Sequence, residues 1–206
     1  MKYLRIIGTV VLVVLAGVLG VLAAQHYLQP TDPIGQATVP ANGQATDKKL
    51  NLTQNGKTTT LADFQGKLVL IYFGYASCPD VCPTALGLLG SALKELTPAE
   101  IAQIQPLFIS VDPERDHGEK LLAYARYFHP SFLGLTGTPK EIQQAAAQFG
   151  AFYAKVNSDS AMGYLVDHTS NTYLVSKDGK LLKTLPHDMS KTDVINSLRA
   201  ALSPAQ

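Results

Sequence analysis

Cys78 and Cys82 are the only cysteines among the 206 residues, and their spacing lets them act together. On a helical turn, residues four apart share one face, where two sulfurs can close a disulfide or hold one metal ion. The pair follows residues 68–73, an apolar run typical of a buried strand, and precedes residues 84–89, where helical spacing begins. The positive end of a helix dipole favours a thiolate at such a junction. The pair is therefore a structural disulfide, a redox dithiol or half of a soft metal site, and spacing alone leaves all three open.

A third ligand would separate these possibilities, and His168 is the strongest candidate among the five histidines. It is predicted to lie in a loop just before a strand that starts at Thr172. If that loop runs beside the start of the cysteine-bearing helix, the imidazole can approach both sulfurs. Otherwise, His168 is a solvent-facing loop residue beside a turn-forming aspartate. The other histidines are expected to be solvated or capping residues, with His187 the strongest exception: His26, His117, His129 and His187.

Two thiolates and one imidazole would form a soft, three-ligand metal site. Such a site suits Cu(I), and with a further weak ligand it suits Cu(II) or Zn(II). An iron–sulfur cluster would need more than two cysteines. A methionine-rich copper site is excluded, because only Met162 and Met189 follow the N-terminal region.

The elements that must position these side chains alternate between strands and helices. Asn55-Gly56 predicts a hairpin at the start of the domain, and Asp116 with Glu119 has the capping-box form of a helix start. Further strands are predicted at residues 106–111, 133–137, 172–176 and 181–185, and helices at residues 83–96, 116–128, 139–149 and 191–202. This order predicts an α/β protein with a thioredoxin-like fold, a central mixed sheet flanked by helices and an added N-terminal β-hairpin.

The N-terminal region differs in composition from the rest of the chain. Residues 6–24 carry no charge and are long enough to cross a membrane, so we expect a transmembrane anchor, with a cleaved signal peptide as the alternative. Lys2 and Arg5 place residues 1–5 in the cytoplasm and the domain outside it, on the periplasmic side in a bacterium. Residues 25–47 lack periodicity and predict a flexible linker, which leaves residues 48–206 as one domain.

The balance of charges is uninformative about charged partners. The chain has 17 basic and 16 acidic residues, a formal net charge of +1, and the two signs are mixed along its length. No basic stripe or acidic tail is present, so binding to nucleic acid is not expected.

Three motifs in order resemble the Sco/SenC family of membrane-tethered copper proteins. They lie in residues 73–83, in residues 111–116, and in residues 166–169 together with Tyr173-Leu174. The likeness extends over residues 50–202. Two positions depart from it, since Ala76 and His117 stand where threonine is common, and neither is a proposed ligand.

The resemblance implies that Cys78, Cys82 and His168 bind one copper ion. It also implies a role in assembling the dinuclear copper site of cytochrome c oxidase, either by delivering copper or by reducing the cysteines of that site. The implied partners are the copper-bearing oxidase subunit, another copper chaperone and a thiol–disulfide reductase. Asp80 and Asp167 would surround the site or contact a partner, or else be a helix-start charge and a turn former.

Two further functions remain open alongside copper delivery. A thiol–disulfide oxidoreductase or redox sensor would use Cys78 and Cys82 as a disulfide-capable pair without needing His168. A peroxidase-like activity is weaker, because Tyr75 occupies the position three before Cys78 where such an enzyme would carry threonine. Whether the protein is an enzyme is therefore left open.

Overall fold

The computed structural model describes residue 50 and residues 52–54, 56–159 and 163–203. The predicted cytoplasmic segment 1–5, anchor 6–24 and linker 25–47 lie outside these residues. Within the described part of the chain, no helix combines the length and the apolar character needed to cross a membrane.

A five-stranded mixed sheet forms the centre of the domain. Its strands, numbered by their place in the chain, are β3 (Leu68–Gly74), β4 (Ile104–Ser110), β5 (Leu133–Leu135), β8 (Thr172–Val175) and β9 (Leu181–Leu185). They lie side by side in the order β5-β4-β3-β8-β9. The central strand β3 runs parallel to β4 and antiparallel to β8. All seven residues of β3 are buried, as expected for a strand covered on both faces.

Among the described residues, five α-helices accompany the sheet: α1 (Val81–Lys94), α2 (Pro98–Ile101), α3 (Gly118–Phe128), α4 (Pro139–Phe149) and α5 (Lys191–Leu202). A short 3-10 helix spans Leu61–Phe64. Successive side chains of β3 point to opposite faces. Tyr72 lies on the same side as Cys82 of α1, whereas the ring of Phe73 is 5.8 Å from that of Phe149 in α4. Helices therefore cover both faces, and the thioredoxin-like α/β fold is confirmed.

Two small hairpins lie outside the central sheet. The expected N-terminal hairpin consists of β1 (Leu52–Gln54) and β2 (Lys57–Thr59), paired antiparallel. The second, β6 (Tyr153–Asn157) with β7 (Tyr164–His168), was not expected. His168 is the last residue of β7, so the prediction that it lies in a loop is wrong.

Several helix boundaries follow from their caps, and one predicted cap is wrong. The hydroxyl of Thr138 caps the start of α4, and Gly150 ends that helix with φ of 67°, a conformation that favours glycine. Asp116, predicted to cap α3, instead points inward to Ser110, and His117 occupies the N-cap position. The hydrogen bond from the buried hydroxyl of Ser110 therefore outweighs the local capping signal at Asp116.

Candidate functional site

The two cysteines lie where β3 gives way to α1. Cys78 is in the connecting loop and is 9% exposed, whereas Cys82 is the second residue of the helix and is fully buried. The backbone N–H of Cys82 donates to Sγ of Cys78 over 3.4 Å. Cys78 thus sits at the helix N-terminus, where the helix dipole and a free N–H stabilise a thiolate.

His168 reaches this junction from the end of β7. Its Nε2 lies 3.2 Å from Sγ of Cys82, and its Nδ1 lies 3.2 Å from the carbonyl oxygen of Thr169. A carbonyl can only accept, so Nδ1 carries the proton and Nε2 keeps its lone pair, close to Sγ of Cys82. The backbone thereby selects the tautomer whose Nε2 can bind a metal ion.

Cys78, Cys82 and His168 form one cluster, with their ligand atoms all within 4.8 Å of one another. A trigonal site with bonds of about 2.0–2.3 Å separates its ligand atoms by roughly 3.5–4 Å. Small side-chain adjustments would therefore let the three atoms share one ion. Two sulfurs and one imidazole nitrogen are a donor set that fits Cu(I).

The two thiols have different acidities because they interact with each other. A hydrogen bond donated by the thiol of Cys82 is the largest of the causes that lower the pKa of Cys78 to about 3, and burial opposes the shift. The pKa of Cys82 is raised by its interaction with Cys78 and by burial. In the reduced protein, Cys78 is therefore the thiolate and Cys82 keeps its proton.

Two tyrosines that the sequence analysis did not select surround the imidazole. The ring of His168 meets Tyr72 at 6.1 Å and Tyr75 at 5.9 Å between centroids, each edge-on at 90°. Tyr72 is fully buried, and burial together with the neighbouring Cys82 raises its pKa. The sequence contains a signal for Tyr72, because it is the one residue with a hydroxyl in the apolar run 68–73. A buried hydroxyl needs a polar group nearby, which indicates a polar site beside this strand.

Gly74 was also missed, although it sets how closely α1 approaches the sheet. A Cβ at this position would lie 2.7 Å from Sγ of Cys82 and 3.0 Å from the ring of Tyr72. Any larger residue would displace the cysteine or the strand. The last residue of β3 must therefore be glycine for Cys82 to reach its observed position.

The remaining candidates are placed around the site or away from it. Asp80 and Asp167 are both exposed beside the cluster residues, and Asp80 makes no side-chain cap to α1. His187 is exposed after β9, and His129 lies within hydrogen-bond distance of Ser131 at the end of α3. Within the described residues, the metal-competent cluster therefore contains His168 and none of the other histidines.

The fold and this cluster together define a thioredoxin-like protein with a thiol–imidazole centre at the start of its first long helix. A SCO1/SenC family model matches residues 40–203. An SCO2-like protein of Rickettsia prowazekii is 41% identical over 145 residues, which cover 70% of each chain.

Solved structures agree with this match. Apo Sco1 from Thermus thermophilus has a TM-score of 0.69 at 42% identity and covers 80% of this chain and 95% of its own. Copper-bound yeast Sco1 has a TM-score of 0.71 at 32% identity, covering 79% of this chain and 91% of its own. The chain belongs to the SCO1/SenC family.

Proposed function

We propose that this protein is a copper metallochaperone that binds one copper ion through Cys78, Cys82 and His168. The observation that carries the proposal is the convergence of their three ligand atoms within 4.8 Å. The copper bound to the similar yeast protein supports it. The thiolate of Cys78 and the available Nε2 of His168 further prepare the site for a soft cation.

Loading and release of the ion follow from the state of the three ligands. Copper enters as cargo, and the proton of Cys82 is released to solvent so that both sulfurs bind as thiolates. For delivery, a thiolate of the acceptor enters the three-coordinate site and one of the three ligands leaves. The acceptor implied by the family resemblance is the dinuclear copper site of cytochrome c oxidase.

The proposal includes an anchor in the membrane that contains the oxidase. The uncharged residues 6–24, preceded by Lys2 and Arg5, support a retained span with the domain outside the cytoplasm. Membranes extracted with carbonate should retain the full chain, and its release into the soluble fraction would contradict the anchor.

Copper titration of the reduced full chain tests the central claim. The parent should bind one Cu(I), and His168→Ala should weaken its affinity by about 100-fold or more, because two ligands remain where three were available. His187→Ala is the matched control, since that histidine is exposed and outside the cluster, and it should bind as the parent does. Equal affinity in the His168→Ala protein and the parent would remove the proposal.

A second function, thiol–disulfide exchange, is favoured by the unequal acidities of the two cysteines. The Cys78 thiolate would attack one sulfur of a partner disulfide, and the other partner sulfur would leave as a thiolate. Cys82, after losing its proton, would then attack Sγ of Cys78 and release the second partner thiolate. The resulting Cys78–Cys82 disulfide would need a thiol–disulfide reductase to restore it, and it could not bind copper, so the same pair could also sense redox state.

A further inference from the structure

The loop between β4 and α3 contains charged residues that take no part in the ligand set. Asp112 is fully buried and Asp116 is 3% exposed, and Arg115 lies between them in sequence. Burying a carboxylate is costly unless it is paired or hydrogen-bonded. The contacts of these residues indicate why they are buried in this loop.

Asp116 binds the loop that carries Cys78. Its Oδ2 accepts hydrogen bonds from the backbone N–H of Ala76 over 2.6 Å and from the hydroxyl of Ser110 over 2.7 Å. Ala76 is two residues before Cys78, and Ser110 ends β4. The carboxylate of Asp116 therefore connects the loop that contains Cys78 to the end of β4 through two hydrogen bonds.

Asp112 and Arg115 bind the strand that carries His168. The hydroxyl of Tyr164 donates to Oδ1 of Asp112 over 2.7 Å, and Nη1 of Arg115 donates to the carbonyl of Tyr164 over 3.1 Å. Arg115 also pairs with Asp112 through Nε and lies 3.8 Å from the ring centroid of Tyr164. Tyr164 is the first residue of β7 and His168 is the last.

This attachment matters because β7 is not a strand of the central sheet. It pairs with β6 in a separate two-stranded sheet. The ladder of the central sheet therefore does not set the distance between His168 and the cysteines. The loop between β4 and α3 is hydrogen-bonded to Ala76 on one side and to Tyr164 on the other. This loop can therefore set the distance between His168 and the cysteines.

We propose that Asp112, Arg115 and Asp116 are positioning residues that hold the cysteine loop and β7 in register, so that Nε2 of His168 stays within bonding reach of the cysteine sulfurs. This inference rests on the proposed function for its consequence in copper binding. Arg115 is the central member, because its planar guanidinium makes three contacts at once. It pairs with Asp112, donates to the backbone carbonyl of Tyr164 and stacks on the ring of Tyr164.

A double-mutant cycle on Cu(I) affinity tests the inference with the reduced full chain. Arg115→Gln should weaken Cu(I) binding by about 10- to 100-fold when His168 is present. In the His168→Ala background, the same change should cost less than about two-fold, because no imidazole remains to be positioned. Equal losses in the two backgrounds would show a general structural role and overturn the proposal.

The matched control is Arg126→Gln, the same chemical change at an exposed position on α3. It should leave Cu(I) affinity unchanged in both backgrounds, and a loss equal to that of Arg115→Gln would overturn the proposal. If Arg115→Gln does not fold, Tyr164→Phe takes its place, since it keeps the ring and removes only the hydroxyl that donates to Asp112. Tyr164→Phe should weaken Cu(I) binding less than Arg115→Gln does. This loss of Cu(I) affinity must also disappear in the His168→Ala background.

A metal-free readout separates this inference from the proposed function. In the reduced apo protein, nuclear Overhauser contacts between the His168 imidazole and the rings of Tyr72 and Tyr75 should weaken in Arg115→Gln and persist in Arg126→Gln. A parent that binds no Cu(I) would refute the proposed function, whereas these contacts would still test the positioning. Unchanged contacts in Arg115→Gln would refute the positioning even if the parent binds Cu(I).

Discussion

Cys78 and Cys82 are chemically different residues although they belong to one pair. Cys78 lies at the helix N-terminus with slight exposure, and Cys82 is enclosed by Tyr72, His168 and the end of β3. The same hydrogen bond lowers the pKa of one thiol and raises that of the other. In the proposed exchange, Cys78 would be the nucleophile and Cys82 the resolving cysteine. In the proposed copper loading, Cys82 would be the thiol that releases its proton.

We predict that iodoacetamide alkylates Cys78 before Cys82 in the reduced, metal-free protein. A thiol is ionised above its pKa, so a pKa of about 3 keeps Cys78 a thiolate from pH 5 to pH 8. Its rate should therefore change little over that range, whereas the rate of an ordinary thiol would rise about ten-fold per pH unit below its pKa of about 8.5.

Mass spectrometry of peptides from the Cys82→Ser and Cys78→Ser variants measures the two rates separately. Serine at position 82 retains a hydroxyl that can donate to Cys78, so the comparison preserves the main cause of the lowered pKa. Faster alkylation of Cys82, or a ten-fold rise per pH unit for Cys78, would contradict the assignment.

The residues of the cluster could be selected from their types and spacing, but their supporting residues could not. Two cysteines four apart and a histidine before a strand are visible in the chain. The roles of Tyr72 and Gly74 exist only because β3 lies against Cys82, a contact that the linear pattern does not contain. The tertiary structure therefore adds the residues that shape the site.

At the scale of elements, the four longer helices and the buried strands were predictable because their signals are local, whereas the four-residue helix α2 was missed. Thr138 with Glu141 and the left-handed Gly150 define both ends of α4. The hairpin β6–β7 was missed because Val166 is the only buried residue in its two strands, which weakens the apolar alternation that identifies a strand. Asp116 has a capping signal, but donors at Ala76 and Ser110 outweigh it.

The packing of α1 against α3 gives a prediction with an internal control. An added Cβ at the buried Gly90 would collide with the backbone carbonyl of Phe128, whereas nothing lies within 4 Å of a Cβ at the exposed Gly87. Gly90→Ala should lower the free energy of unfolding by about 1–3 kcal/mol through overpacking. Gly87→Ala should raise it by about 0.5–1 kcal/mol, because alanine is the better helix former.

Urea denaturation of the reduced apo protein measures both changes in unfolding free energy. The two substitutions are identical and lie in one helix, so helix propensity alone predicts the same sign for both. Stabilisation by Gly90→Ala would show that the two helices can separate without cost.

At the scale of the whole molecule, the site joins segments that are distant in the chain. Cys82 and His168 are 86 residues apart in the chain. The loop between β4 and α3 is hydrogen-bonded both to Ala76 and to Tyr164. An ion bound across these segments is bound to the native fold, because the unfolded chain does not keep the three ligands together. The proposed binding of copper across these segments would therefore be thermodynamically linked to folding.

We predict that buffered Cu(I) raises the melting temperature of the reduced full chain and leaves that of the Cys78–Cys82 disulfide form unchanged. Free Cu(I) at 100 times the dissociation constant should stabilise the native state by about 2.7 kcal/mol, by mass action alone. The disulfide form should not respond, because both sulfurs must be thiolates to bind. His168→Ala, in which the thiols remain, should need a correspondingly higher Cu(I) concentration for the same shift. Calorimetry at matched free Cu(I) checks all three proteins, and equal shifts in the reduced and disulfide forms would place the copper elsewhere than in this cluster.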